Sequence, residues 1–492
     1  MSNRATIIAP SPLRFLRAYG GYENPPHLSA SLRNVSCREK YPDSQVPTGP
    51  IIPEHTQKEM DPILDHTDYS FVPVFGLVSE SVYARVNTSQ SLLSSQPTYI
   101  VKLKHSYLNS TTFATEPTNF INQHYSIYQK SKLSAAGVNS LESNETDTED
   151  DYIKPIQLNR KLSTVAGSFS PTFVSYLDKL EAVEYVEPNQ IYRATRQPSP
   201  PTGKRRGRPR FPISPLANWG LTRIHHRKRN DFSEGSADPK GGSDVHVYVF
   251  DTGINVNHTE FSGRATMDAN FIEGEDSIDL AGHGTHVAGI VGGDTFGVAR
   301  NVKLHGIKIL DRYGDGTTIA LLKAIEHVVE IAEPGKSIIN LSLSGPRSAM
   351  IDDALTSAVL DHNIPIFVSA GNSGDDACQY SPSANEYVFP VGASSEKDSL
   401  PFFSSYGPCV KMYAPGTNII SSWLGQDIKI QDGTSMASPH VAGIAALLMS
   451  RKYYGTVQEL YDTLTEVATR DILSMSPYQA GSSQNLLAYA PI

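Results

Sequence analysis

Between residues 244 and 372 the chain passes repeatedly through short stretches that are apolar at nearly every position. "DVHVYVFDTG" (244–253), "VKLHGIKIL" (302–310), "SIINLSLSG" (337–345) and "IPIFVSAGN" (364–372) each end in small or polar residues. Between them lie stretches of helical character, such as "TTIALLKAIEHVVEIA" (317–332). A strand with one wet face alternates apolar and polar residues; a strand buried on both faces need not. Continuous apolar strands alternating with helices therefore predict an α/β fold, a parallel sheet with helices on both faces. In such sheets the ligand site lies beyond the carboxyl ends of the strands. We assign residues 217–492 to this domain.

Upstream the pattern is weaker. "TYIVKLK" (98–104) alternates as a strand does. Phe173, Leu177 and Leu180 recur at helical spacing, and "AVEYVEP" (182–188) then reads as a short strand. Residues 96–195 are accordingly expected to form a small α+β domain. It carries a polar insertion, "ESNETDTEDD" (142–151), whose acidic side chains repel one another and favour a solvated loop. Residues 1–95 are rich in Pro, Ser and Asn without sustained period, and are expected to be poorly ordered. Residues 196–216 combine prolines with the basic cluster "GKRRGRPR" (203–210), the composition of a linker.

Charge qualifies that cluster. Read alone, Arg206-Gly207-Arg208-Pro209 is what a flexible arm uses in the minor groove of A/T-rich DNA. The 492-residue chain nevertheless has a formal net charge of −9, whereas proteins devoted to phosphate backbones are more often basic. No apolar run approaches the roughly 20 residues that span a bilayer. Neither nucleic acid nor membrane is an expected partner. The N-terminus lacks the apolar core of an ordinary signal peptide. Cys37, Cys378 and Cys409 are too few for a disulfide scaffold. Asn-x-Ser/Thr triplets occur at Asn34, Asn87, Asn109, Asn144, Asn257 and Asn340, and all but the last are kept as glycosylation candidates.

Three motifs carry chemistry. "VFDTGI" places Asp251 at the end of a buried strand, "GHGTHVAGIVGG" contains His283 and His286, and "DGTSMASPHVAGIAALLMS" places Ser435 at the start of an apolar helix. A serine there has free backbone N–H groups beside it, which suit a developing oxyanion. Its hydroxyl is a weak nucleophile until a base accepts the proton, and histidine titrates in the right range. A carboxylate then fixes the imidazole tautomer. Asp251, His283 and Ser435 fill these roles in that order along the chain. A metal pair at His283 and His286 is disfavoured by the lack of a nearby carboxylate, and His286 and His440 are read as structural.

These motifs resemble those of the subtilisin family of serine proteases, whose Asp, His, Ser order is a known signature. "NWGLTRIHHR" (218–227), "DDACQYSPSAN" (375–385), "YGPCVKMYAPG" (406–416) and "NLLAYAPI" (485–492) resemble the proteinase K branch, and within it the fungal vacuolar proteases of the cerevisin type. The likeness covers residues from about 215 onward closely and 97–195 more weakly, as an inhibitory prodomain. It implies a serine endopeptidase made as a zymogen, with broad degradative specificity and protein and peptide substrates. Its prodomain would act as intramolecular inhibitor, and the enzyme would be a monomer. Asp251 would orient His283, His283 would be the base and Ser435 the nucleophile. Asn372 in "SAGNSG", with the Ser435 backbone N–H, would form the oxyanion hole. Ser342, Leu343, Ser344, Ala370 and Gly371 would bind substrate. Self-cleavage is implied near Thr195, and the dibasic run offers a second cut at Arg206. Few residues follow Ser435, so no added C-terminal domain of the kexin type is expected. The resemblance implies a vacuolar or secreted enzyme; the absent signal peptide leaves an intracellular one as the alternative. An inactive relative, serving as a binding module, is the other reading.

The departures from the family pattern carry their own expectations. Asp432 stands where Ser or Asn is usual, and a carboxylate so close to the triad would raise the pKa of His283, so that activity falls off at higher pH than usual. Ser344 replaces a glycine in the wall of the main specificity pocket, which favours smaller side chains before the scissile bond. No cofactor is required. Structural calcium occurs in the family, but Lys411 stands where a carboxylate ligand is usual, and an ammonium cannot ligate calcium. Val287 replaces a cysteine beside the catalytic histidine. Cys378 and Cys409 leave two states open, a disulfide or two thiols.

Overall fold

The computed structural model describes residues 98–104, 117–135, 153–159, 163–195, 218–229 and 241–491. The expectations for 1–95, for the acidic run and for the 196–216 linker with Arg206 lie outside the described residues. So do Cys37 and the candidate sugar sites Asn34, Asn87, Asn109 and Asn144.

A smaller body is built from β1 (Tyr99–Leu103), α1 (Pro117–Ala135), β2 (Ile153–Asn159), β3 (Thr164–Ser168), α2 (Pro171–Leu177) and β4 (Val183–Pro188). Its strands form an antiparallel sheet in the order β2-β3-β1-β4. Ser170 caps α2 by accepting a hydrogen bond from the Phe173 N–H. Phe173 and Leu177 are buried in the small core, but the helix stops at Leu177 and Leu180 belongs to the turn that follows. Along β1 the side chains divide between two cores. Val101 and Leu103 enter the small core, whereas Ile100 packs into the core of the larger body.

Chain then continues through β5 (Ile191–Ala194) and, in the larger body, α3 (Trp219–His225), β6 (His246–Asp251), β7 (Ala265–Asn270), α4 (His283–Gly292), β8 (Lys303–Lys308), β9 (Asp315–Thr317) and α5 (Thr318–Ile331). Next come β10 (Ser337–Leu341), β11 (Leu343–Pro346), α6 (Ala349–Leu360), β12 (Ile366–Ser369), β13 (Tyr380–Ser381), β14 (Phe389–Ser394) and β15 (Met412–Pro415). The hairpin β16 (Ile419–Ser422) and β17 (Ile428–Gln431) leads into α7 (Thr434–Met449) and α8 (Val457–Val467), and β18 (Thr469–Arg470) and β19 (Leu486–Leu487) close the sheet.

The sheet order is β18-β19-β15-β14-β12-β10-β6-β8-β7. All neighbouring pairs are parallel except β18 with β19. This is the doubly covered parallel sheet that the apolar runs predict. One run departs from its expected form. The 337–345 stretch breaks at Ser342: β10 stays in the main sheet, while β11 leaves it to pair with β5 and β13. That detour opens a slot for another strand beside the carboxyl ends of the sheet.

Candidate active site

Asp251 is the last residue of β6, His283 the first of α4, and Ser435 the second of α7. All three side chains are buried. His283 Nδ1 lies 2.7 and 2.9 Å from the two carboxylate oxygens of Asp251. This is the pairing that fixes the tautomer with the proton on Nδ1 and turns Nε2 toward the cleft. Close approach of α4 to β6 demands Gly284, where an added Cβ would stand 2.1 Å from the Gly253 carbonyl and 3.1 Å from the Asp251 Cβ.

The loop between β6 and α4 is tied by one residue absent from the sequence reading. The buried carboxylate of Asp279 accepts through Oδ1 from the Thr252 hydroxyl (2.8 Å) and from the Ala281 and Gly282 N–H groups (3.0 and 2.7 Å). Through Oδ2 it accepts from the Thr285 N–H (3.0 Å) and hydroxyl (2.6 Å). Thr252 in turn donates its N–H to Asp251 Oδ1 (2.7 Å) and accepts at its hydroxyl from the Gly284 N–H (3.0 Å). Asp279 thus caps the helix that carries His283 and links it to the strand end that carries Asp251. An aspartate a few residues ahead of a helix was the available signal, lost among the acidic residues around it.

At α7 the backbone explains the serine's setting. Pro439 has no N–H to donate to the Ser435 carbonyl, so that carbonyl accepts instead from the Ser342 hydroxyl at 3.3 Å. The Ser342 hydroxyl accepts from Asn340 Nδ2 (3.0 Å), and Asn340 Oδ1 accepts from Ser438 (2.8 Å). Asn340 is therefore a buried structural residue, and its sequon is closed to sugar. Asn257, the remaining candidate among the described residues, is exposed. Asn372 follows β12 through Gly371, whose φ of +111° suits only glycine, and its Oδ1 accepts from the Thr434 N–H and hydroxyl, both at 2.9 Å. Those two bonds orient the amide, with Nδ2 on the opposite side. Ser344 faces Gly371 across the slot: a Cβ at Gly371 would lie 3.8 Å from its hydroxyl.

The end of β5 lies in this site. β5 runs antiparallel to both β11 and β9, Leu343 opposite Ala194 and Thr317 opposite Ile191. Tyr192 is buried against Gly345 and donates its hydroxyl to the Pro346 carbonyl at 2.7 Å. Thr195 donates its N–H to the Ser342 carbonyl (3.2 Å), and its own carbonyl accepts from the Ser435 N–H (3.4 Å). The Thr195 and Ser435 hydroxyl oxygens are 2.6 Å apart, and Ser435 also donates to the Ser342 carbonyl (3.0 Å). Among the described residues His283 Nε2 has no hydrogen-bond partner. The hydrogen bond expected between base and nucleophile is thus not made, because Thr195 and the Ser342 carbonyl engage the serine hydroxyl.

The remaining predicted residues lie as follows. His286 accepts no charge: burial first, then His283, depresses its pKa to about 3, and Nε2 donates to the Ile419 and Lys429 carbonyls. Burial likewise holds His440 at about 4, with Nδ1 donating to the Met436 carbonyl within its own helix. Both are structural, as read. The Asp432 carboxylate accepts from the Asn418 N–H at 2.5 Å. Cys378 and Cys409 form a disulfide, resolving the two open states. Lys411 binds through its backbone N–H to the Pro390 carbonyl. Among the described residues no group of three His, Cys, Asp or Glu side chains gathers as a metal shell. Likewise, no described helix is long and apolar enough to cross a membrane.

Comparison with known proteins places the chain in a family. The subtilase family (Peptidase_S8) matches residues 242–485. The subtilase-type proteinase psp3 of Schizosaccharomyces pombe is 36% identical over 335 residues, covering 66% of this chain and 70% of its own. The subtilisin-like protease 1 of Pseudogymnoascus destructans is 40% identical over 278 residues, 56% of this chain and 67% of its own. Among solved structures, a cold-adapted subtilisin-like serine proteinase aligns with a TM-score of 0.52 and 37% identity, covering 56% of this chain and 98% of that one. The chain belongs to the subtilase family and is a subtilisin-type serine protease.

Proposed function

We propose that the chain is the zymogen of a broadly degradative endopeptidase, that residues 96–195 are its inhibitory prodomain, and that Asp251, His283 and Ser435 form its catalytic triad. The observation that carries this reading is the placement of Thr195. Its carbonyl lies on the Ser435 N–H, and its hydroxyl on the Ser435 hydroxyl. A product left in the cleft after cleavage at Thr195 would lie in this way.

In the reaction, the His283 Nε2 lone pair takes the Ser435 proton as Oγ attacks the scissile carbonyl. Asp251 stabilises the imidazolium without accepting the proton. Negative charge gathers on the carbonyl oxygen, where the Ser435 N–H and the Asn372 amide donate. His283 then passes its proton to the leaving amine, and the acyl-enzyme forms. Water, activated by the same imidazole, returns Ser435 and releases the acid. Ser342, Leu343 and Ser344 hold the substrate backbone from one side, as they hold β5, with Ala370 and Gly371 opposite. No step passes through a metal.

Resemblance to the proteinase K branch and the cerevisin type supports a vacuolar or secreted location. Expression of the chain with and without Ser435→Ala tests the reading. The parent should cut itself near Thr195, as N-terminal sequencing of the large product would show, and the variant should stay intact. Trimming by a dibasic processing protease at Arg206 would bring the new terminus close to Phe211. A parent that stays intact and hydrolyses no protein substrate would favour an inactive binding module.

A further inference from the structure

The slot that holds β5 carries a charged side chain on its β9 side. Arg193 stands directly opposite Asp315 across the antiparallel pair. Its Nε donates to Asp315 Oδ1 at 3.2 Å, with the Asp315 side chain 0% exposed and the Arg193 side chain 55% exposed. A guanidinium reaching in from solvent therefore covers a carboxylate at the wall of the slot.

Hydrogen bonds with Asp311 also close the loop around Asp315. The Asp311 N–H donates to the Asp315 carbonyl (2.8 Å), and the Asp315 N–H donates to Asp311 Oδ1 (2.9 Å). Asp311 is itself an acid, held above the ordinary carboxylate range chiefly by burial. The nearby cations Lys308 and Arg312 are both turned to Glu275, at 3.0 and 2.8 Å. The wall thus presents acid to the third residue of whatever strand enters, counted back from the one whose carbonyl meets Ser435. Charges placed opposite each other across a strand pair attract, and more strongly where one is shielded from water.

We propose that Asp315 determines specificity, selecting Lys or Arg at the third residue before the scissile bond, so that the favoured substrates are extended segments with a basic residue there. The chain's own Arg193-Ala194-Thr195 is a segment of that kind. The proposal rests on the reading of Thr195 as the residue before the cut. It adds a preference within broad specificity.

Two measurements test it. The self-activated enzyme is given peptides that differ only in Arg, Ala or Glu at the third position. Rates are referred to active sites counted with a serine-reactive phosphonate. Arg should exceed Ala by about tenfold in kcat/KM, with Glu slowest. Asp315→Asn should bring Arg and Ala within about twofold, and Asp315→Lys should make Glu the preferred residue. Equal rates in the parent, or a preference that survives Asp315→Asn, would overturn the proposal. The second measurement needs no hydrolysis. In the full chain carrying Ser435→Ala, amide exchange of residues 191–194 is followed. Arg193→Ala and Asp315→Asn should each speed it about tenfold, and the two together no more than either alone. If no peptide is cut while exchange responds this way, the catalytic reading fails and the pairing stands. If exchange is indifferent to both changes, the pairing fails even in an active enzyme.

Discussion

The larger body covers both faces of its sheet with its own helices, whereas the smaller body covers one face and lends the other to its neighbour. Ile100 and Ala166, from β1 and β3, are buried in the larger core, and among the described residues the smaller core keeps ten buried side chains of its own. A core of that size rarely supplies more than a few kcal/mol. Polar contacts show the same asymmetry. Glu187 and Tyr185 of β4 and Lys102 of β1 all find partners on α6 of the larger body, at its N-terminus and at Asp353. The smaller body is therefore built to be completed by docking. The larger body pairs Asp251 with His283 from its own elements. Such a build would suit the proposed role of an inhibitor that is later lost, stable where it is needed and marginal once released.

The largest test of that contrast is in the small core. Phe173 is fully buried, edge-on to Tyr125 and Phe169 with ring centroids at 5.1 and 5.6 Å. Phe173→Ala removes a ring from the small core, at about 3–5 kcal/mol. In the Ser435→Ala chain we expect exchange at β1, β3 and β4 amides to rise by at least about 100-fold. The strands β6, β10 and β12 should be unaffected. Equal acceleration in both bodies would show that they unfold as one unit and that the contrast is false.

The contrast also decides how much was legible in sequence. Strands β6, β8, β10 and β12 fall inside the apolar runs that predict them, because burial on both faces makes a strand apolar throughout. In the smaller body α1 escaped notice. Its sequence "PTNFINQHYSIYQKSKLSA" is largely polar, with Phe120 and Ile121 its buried apolar side chains. β2 lies past the acidic run and carries a proline at 155, which weakens any strand reading. Leu180 kept helical spacing past the end of its helix, since spacing alone does not mark a C-terminus. At the site, Asp251, His283, Asn372 and Ser435 were each readable from a local motif. Asp279 and Asp315 were not. Asp279 acts largely through backbone N–H groups, which any sequence supplies, and Asp315 meets a strand from a distant part of the chain.

A second, somewhat smaller effect belongs to the larger body alone. His440 and His225 are held near pKa 4, well below the ordinary 6.5, and burial is the leading cause for both. The folded state then binds fewer protons than the unfolded state between pH 6.5 and 4. Stability is full above 6.5 and is lost as pH falls through that window, by about 3 kcal/mol for a group as buried as His440. Thermal melts of the Ser435→Ala chain should show this slope for the larger body, and His440→Gln should flatten it. A slope unchanged by His440→Gln would place the acid sensitivity in other groups.

The smallest effect addresses those contacts directly. Glu187 accepts from the Ser348 hydroxyl (2.6 Å) and from the Ala349 N–H (2.7 Å) at the start of α6. Ser348 is that helix's own cap, bonding the Ile351 N–H, so the smaller body adds a carboxylate to a helix end that is already capped. A negative charge there gains from the unsatisfied N–H groups and from the helix dipole. Glu187→Ala should cost about 1–2 kcal/mol of docking, seen after self-cleavage as release of activity at about tenfold higher protein concentration on dilution. Glu187→Gln, which keeps the acceptor and loses the charge, should fall between the two. If both variants release activity as the parent does, the smaller body is held by β5 and its apolar face alone, and its polar contacts set orientation rather than affinity.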